Sequence, residues 1–191
     1  MERGPIVGIL LAAGAGKRFG GDKLLVELDD ATPMALAAAR SLLPACERIL
    51  AVVRPGSDVL AERLTGIGCE VIVNVDSVDG MGHSLAAGVR ASGDAAGWLV
   101  ALADMPFVSA ETTTRVAAEL RAGASIAVPE YRGRRGHPVG FAWHWAHQLA
   151  ALSGDEGARR ILAAHPQAVA CCPVADPGVV RDVDHPDDLR R

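Results

Sequence analysis

The sequence predicts an α/β fold, a mostly parallel sheet with helices on both faces. Three observations lead there. Apolar, β-branched runs alternate with Ala/Leu/Arg segments of helical period. The first of these runs, Ile6 to Ala12, is apolar throughout instead of alternating, as a strand buried on both faces must be. Half of the 191 residues are hydrophobic but few are aromatic, so one sizeable core of Ala, Val, Leu and Ile can form within a single domain, residues 1–191.

The elements follow in order. After the strand Ile6–Ala12 comes a helix from Pro33 to Leu43, with Thr32 as N-cap and Pro33 at the first helical position. Arg48–Val53 reads as a strand, Ser57–Leu64 as a helix and Glu70–Val73 as a third strand. His83–Ala91 is a helix entered through Gly80-Met81-Gly82. Trp98–Ala103 is a strand, Ala110–Arg121 a helix and Ser125–Pro129 a fifth strand. The pattern then changes: an exposed turn at Tyr131–Arg135, a short strand at Pro138–Phe141, and helical segments near Trp143–Leu152 and Glu156–Ala164. Ala168–Val174 and Val179–Val183 read as strands, and Pro186–Arg191 as a last helical turn. Repeated strand–helix units make this a Rossmann-like arrangement, in which ligands bind beyond the carboxyl ends of the strands. That rule singles out Ala13–Lys23, Arg54–Asp58, Asn74–Ser84 and Asp104–Pro106 before any motif is considered.

Composition narrows the function. The net charge is −4, and no basic stripe or basic–aromatic interleaving suits a nucleic acid. The N-terminal apolar run is too short for a membrane span and lacks the pattern of a signal peptide. Cys46, Cys69, Cys171 and Cys172 have no CxxC spacing, which disfavours zinc. They read as reduced thiols of a cytoplasmic protein, with Cys69 and one of the vicinal pair in the core.

The segment after the first strand is Leu11-Ala12-Ala13-Gly14-Ala15-Gly16-Lys17-Arg18-Phe19-Gly20-Gly21-Asp22-Lys23. Glycines let the backbone approach a ligand, and exposed amides beside cations suit a polyphosphate. A Walker A loop fits poorly, because Asp22 interrupts it and Leu24 stands where Ser or Thr belongs. A dinucleotide loop fits poorly too, because the third glycine is one place late. Lys17 and Lys23 are the only lysines in the chain. Lysine offers a compact charge that can follow a phosphate oxygen; either could otherwise be an exposed loop residue. Asp104 ends a buried strand, where a carboxylate faces the ligand crevice and suits a hard cation such as Mg²⁺, or caps the next helix. Asp182 and Asp184 would share a face if they lie on a strand. One could complete a metal shell opposite Asp104, or both could cap the last helical turn.

At this point the residues resemble the MobA-like nucleotidyltransferases. The loop Leu11-Ala12-Ala13-Gly14-x-Gly16-x-Arg18-Phe19-Gly20-x-x-Lys23 is similar to the signature loop of that family. Further blocks agree in order: Asn74 with Gly80-Met81-x-x-Ser84-Leu85-x-x-Gly88; Asp104-Met105-Pro106; Gly133 with Gly136-His137-Pro138-Val139; Gly154-Asp155-x-Gly157-Ala158-Arg159; and the tail Asp182-Val183-Asp184. Leu-Ala-Ala-Gly and the Asp-Val-Asp tail resemble the molybdenum cofactor cytidylyltransferase branch. The departures are Gly16 where Ser is common, Phe19 for Met, Ala31 for a glycine and His185 for Thr.

The resemblance implies a fold of the nucleotide-diphospho-sugar transferase type and transfer of CMP from CTP to molybdenum-bound molybdopterin, with Mg²⁺. It implies that Lys23 and Arg18 stabilise phosphate charge, that Ala13, Gly14, Ala15 and Gly16 offer amides to the phosphates, and that Leu11, Ala12 and Ala13 read the base. Asn74, Gly80 and Ser84 would hold base or ribose, Ser84 being otherwise a helix-start serine. Asp104 and, of the tail pair, Asp184 would hold the metal. Gly136, His137, Pro138 and Asp155 would meet the acceptor. An apo-molybdenum hydroxylase would be the protein partner. Three alternatives stand beside this reading: a guanylyltransferase or sugar-1-phosphate nucleotidyltransferase, a non-catalytic nucleotide-binding regulator, and an NADP-binding oxidoreductase domain.

Overall fold

The computed structural model describes residues 4–14 and 22–190. Its centre is an eight-stranded sheet: β1 (Ile6–Ala12), β2 (Arg48–Val53), β3 (Glu70–Val73), β4 (Gly97–Leu102), β5 (Ile126–Tyr131), β6 (Arg134–Arg135), β7 (Val139–Ala142) and β8 (Val169–Pro173). The order is β3-β2-β1-β4-β7-β5-β6, with β8 also paired to β5. Neighbours run parallel except at β7, which is antiparallel to both β4 and β5, and in the short β5–β6 hairpin. Reversing β7 has a functional effect: its first residues, and not its last, lie at the edge where β1 and β4 end.

Among the described residues, six α-helices cover the sheet: α1 (Met34–Leu42), α2 (Asp58–Gly66), α3 (Met81–Arg90), α4 (Ala110–Arg121), α5 (Ala146–Ala150) and α6 (Arg159–Ala164). The period of two in β1 divides its side chains between the faces. Ile6, Leu10 and Ala12 join the core beneath α1, α2 and α4, built with Leu42, Leu64 and Val116. Val7, Ile9 and Leu11 join the core beneath α3, α5 and α6, with Leu85, Leu149 and Ile161. Helix α3 can approach β1 because it presents Gly88; a Cβ there would stand 2.9 Å from Ile9 Cγ2. No helix among the described residues is long and apolar enough to cross a membrane.

Several expected boundaries shift for local reasons. Thr32 does not cap α1, and Pro33 precedes the helix instead of opening it. Thr32 and Pro33 are drawn into pairing with residues 26–28 instead: Leu28 donates to the Thr32 carbonyl and Met34 to the Val26 carbonyl. Tyr131 to Arg135 is more than a turn. β5 runs on to Tyr131, and Arg132 and Gly133, with φ of 50° and 77°, turn the chain into β6. The segment Trp143–Leu152 is a 3-10 turn, Trp143–Trp145, followed by α5, and α6 begins only at Arg159. Val179–Val183 is not a strand. A 3-10 turn occupies Pro177–Val180, because this segment lies against other backbone and has no room for a ladder: a Cβ on Gly178 would be 2.1 Å from the Phe107 carbonyl oxygen.

Candidate functional site

The site lies beyond the carboxyl ends of β1, β2 and β4. Lys23 stands at the start of a 3-10 turn, Lys23–Leu25, that follows the glycine loop, and it is only 8% exposed. Its Nζ donates to Asp104 Oδ2 and to Asp184 Oδ1, each at 3.0 Å. Asp104 is placed by β4, which ends two residues earlier, and by Ala103, whose amide continues the β1–β4 pairing onto the Leu11 carbonyl at 3.1 Å. Asp184 is placed by its neighbour: Val183 donates its amide to the Asp104 carbonyl at 2.9 Å, and the Val183 side chain is fully buried. Asp188 accepts from the amides of Asp184 and His185, fixing the turn beyond. Burial pulls the Lys23 ammonium toward a lower pKa, but Asp104 and Asp184 together outweigh it and hold the pKa above the usual lysine value.

A crevice opens beside Lys23, lined by Ala12, Gly14, Asp22, Arg54 and Ser57 among others. Arg54 bridges it, donating to Asp22 Oδ1 at 3.1 Å. The strand-end rule marks Arg54–Asp58 as crevice-lining but assigns Arg54 no role; its partner follows from the fold, being 32 residues away in sequence.

Asn74 and Ser84 come together, both buried, with Asn74 Nδ2 donating to Ser84 Oγ at 3.3 Å. Asn74 also accepts from the Asp76 amide, capping a 3-10 turn. Gly80 has a positive φ of 121°, and a Cβ there would stand 2.3 Å from the carbonyl carbon of Gly154. The structure therefore gives Gly80 a packing role, letting residues 153–155 lie against the start of α3, where Gly82 donates to the Gly154 carbonyl at 2.7 Å. Asp155 falls with this group, its Oδ1 2.6 Å from the Gly80 Cβ position.

Gly136, His137 and Pro138 enter β7 at the same edge as Asp104. Gly136 must be glycine, since a Cβ would be 2.0 Å from the Val179 carbonyl oxygen, to which His137 donates its amide. His137 is half-buried with Nδ1 3.4 Å from the Val100 carbonyl. Desolvation lowers its pKa, against the pull of that carbonyl, Asp104 and Asp182. Asp184 reaches Lys23, while Asp182 acts on His137 through its charge. Ala15, Gly16 and Arg18 lie outside the described residues.

Two hard, partly exposed carboxylates converging on one point are a donor set that fits a divalent cation. Among the described residues, no group of three or more His, Cys, Asp or Glu side chains gathers to hold one. Such a cation would therefore keep positions for water and phosphate, as Mg²⁺ does.

An open α/β sheet with Lys23, Arg54 and the Asp104–Asp184 pair beyond its strand ends is the setting of a nucleotidyltransferase domain. The chain belongs to the MobA-like NTP transferase family, whose domain matches residues 8–169. It is 33% identical to nicotine blue oxidoreductase of Paenarthrobacter nicotinovorans, over 97% of this chain and 95% of that one. It is 31% identical to a Thermococcus gammatolerans protein named "Probable molybdenum cofactor guanylyltransferase", over 72% of this chain and 69% of that one. Among solved structures, Rv0371c of Mycobacterium tuberculosis in complex with manganese superposes with a TM-score of 0.78 at 26% identity, covering 98% of this chain and 97% of that one.

Proposed function

We propose that this protein is a Mg²⁺-dependent nucleotidyltransferase that moves CMP from CTP to the phosphate of molybdenum-bound molybdopterin and releases pyrophosphate. The observation that carries the reading is the convergence of Lys23, Asp104 and Asp184 at the mouth of β1 and β4. Family membership supports nucleotidyl transfer. The guanylyltransferase relative supports a molybdenum cofactor acceptor. The Leu-Ala-Ala-Gly run and the Asp182-Val183-Asp184 tail support CTP over GTP.

In the reaction an oxygen of the acceptor phosphate attacks the α-phosphorus, and the bond to the bridging oxygen of the β-phosphate breaks. The nucleophile is already anionic, so no general base is needed, and His137 can orient the acceptor by hydrogen bonding. Asp104 and Asp184 would hold Mg²⁺, which as a Lewis acid neutralises charge on the phosphates. Lys23 stabilises charge on the leaving pyrophosphate, with Arg18 as a second cation. Amides from Ala13 to Gly16 line the phosphates, and Asn74 and Ser84 face the base and ribose. The protein's contribution is position and preorganised charge.

Calorimetry with CTP, GTP, ATP and UTP in Mg²⁺ tests this on wild type and Asp104→Ala. The expected result is a clear CTP preference that Asp104→Ala abolishes, with turnover falling by roughly 10²–10³-fold. Absence of any nucleotide binding overturns it.

A second reading has its own support, the identity to a protein named an oxidoreductase over nearly the whole chain. In it the crevice takes a reduced dinucleotide. The late third glycine speaks against it, and a fluorescence titration with NADPH separates the two: saturable quenching that CTP does not displace favours the oxidoreductase.

A further inference from the structure

Lys23 does more here than wait for a phosphate. Its ammonium takes one oxygen from each of two carboxylates, 81 and 161 positions away in sequence, at 3.0 Å apiece. The lysine is 8% exposed, whereas the Asp104 and Asp184 side chains are 30% and 42% exposed. The cation is the enclosed member of the trio, and the two carboxylate side chains are the more exposed. A divalent cation held by the same two carboxylates would stand a few ångströms from the ammonium, and two positive charges that close repel. They cannot share the carboxylates at full strength. The open direction for Lys23 is the crevice that it lines with Ala12, Gly14 and Arg54. Arg54 lies there already paired with Asp22 at 3.1 Å, so an added polyphosphate would bring the anion that an ammonium turning into that space meets.

We infer that Lys23 is a built-in counterion that competes with the divalent cation for Asp104 and Asp184, so that metal and nucleoside triphosphate bind cooperatively. The triphosphate takes the ammonium as the cation takes the carboxylates. This rests on the function proposed above in requiring a metal and a triphosphate at one site. The free protein then binds metal weakly, and metal and nucleotide tighten each other by the same factor. The two carboxylates are kept neutralised until both ligands arrive.

The test is Mn²⁺ binding to the nucleotide-free protein, followed by the loss of the free-ion paramagnetic resonance signal. Lys23→Met, of similar length and uncharged, is expected to bind Mn²⁺ at least about tenfold more tightly than wild type. Lys23→Arg, which keeps the charge, is expected to stay as weak as wild type. Adding Asp104→Asn to Lys23→Met is expected to abolish the gain. Circular dichroism checks folding, and Lys23→Gln serves as the neutral variant if the methionine does not fold. Equal Mn²⁺ affinity in wild type and the folded neutral variant overturns the inference, as does an arginine variant as tight as the methionine. If wild type meanwhile binds CTP in a metal-dependent way, the proposed function stands and only the counterion falls. If wild type binds no CTP with metal, both fall.

Discussion

Lys23 and Asp104 can be found in the sequence because both sit at places the fold class defines in advance, the end of a glycine loop and the end of a buried apolar strand. Asp184 cannot be told from Asp182 there. The structure separates them: Val183 donates to the Asp104 carbonyl, and the Asp184 carboxylate accepts from Lys23. The Arg54–Asp22 pair is likewise a product of two loops meeting. The cysteines offer a prediction at this scale. Burial, reinforced by the Glu47 charge, pushes the Cys46 thiol up to about 12, and burial pushes Cys69 up to about 11. Cys172 is buried and raised as well, while Cys171 is exposed. Thiolate is the reactive form. Iodoacetamide at pH 8 is therefore expected to alkylate Cys171 rapidly in the native protein and the other three only after unfolding, as peptide mass mapping would show.

Elements were legible where one physical signal dominated. β1, β2, β3 and α4 have unbroken apolar runs or a clear helical period, and their limits fall where the residues place them. The stretch from Val179 to Val183 misleads because Val179 is buried by contact with Met105 and Val108, with Val180 packed against them, and not by alternation in a sheet. Joints between elements carry stability of their own. Glu47 accepts from the Ile6 amide at 2.7 Å and from Arg121 at 2.8 Å, tying the start of β1 to the end of α4. Burial would raise the Glu47 pKa, but the Arg121 and Ile6 hydrogen bonds outweigh it and hold it below the usual glutamate value. A lowered pKa in the folded state means the stabilisation is complete above about pH 4.5 and is lost as pH falls through the folded value. Glu47→Gln is expected to lower stability by about 1 kcal/mol at neutral pH. Urea denaturation curves should show that difference shrinking below pH 4.

The whole molecule assembles a site from three parts of the chain that are remote in sequence, so ligand binding should report on global folding. With CTP and Mg²⁺ at about one hundred times Kd, stabilisation of about 2.7 kcal/mol corresponds to a rise in Tm of roughly 5–10 °C for a domain of this size. Asp184→Asn is expected to remove most of that rise with little change in the ligand-free Tm, measurable by calorimetric scanning. The sheet has two outer margins of different character. β3 is four residues long and carries Glu70, and β8 ends at Pro173, features that discourage a second chain from adding itself. β8 also bears the exposed Cys171. In a stock left to oxidise in air, a cystine formed there would hold two molecules margin to margin, each presenting unpaired backbone groups to the other. Slow loss of material to covalent pairs and then precipitate follows from that placement, and a reducing agent, or serine at position 171, is the remedy.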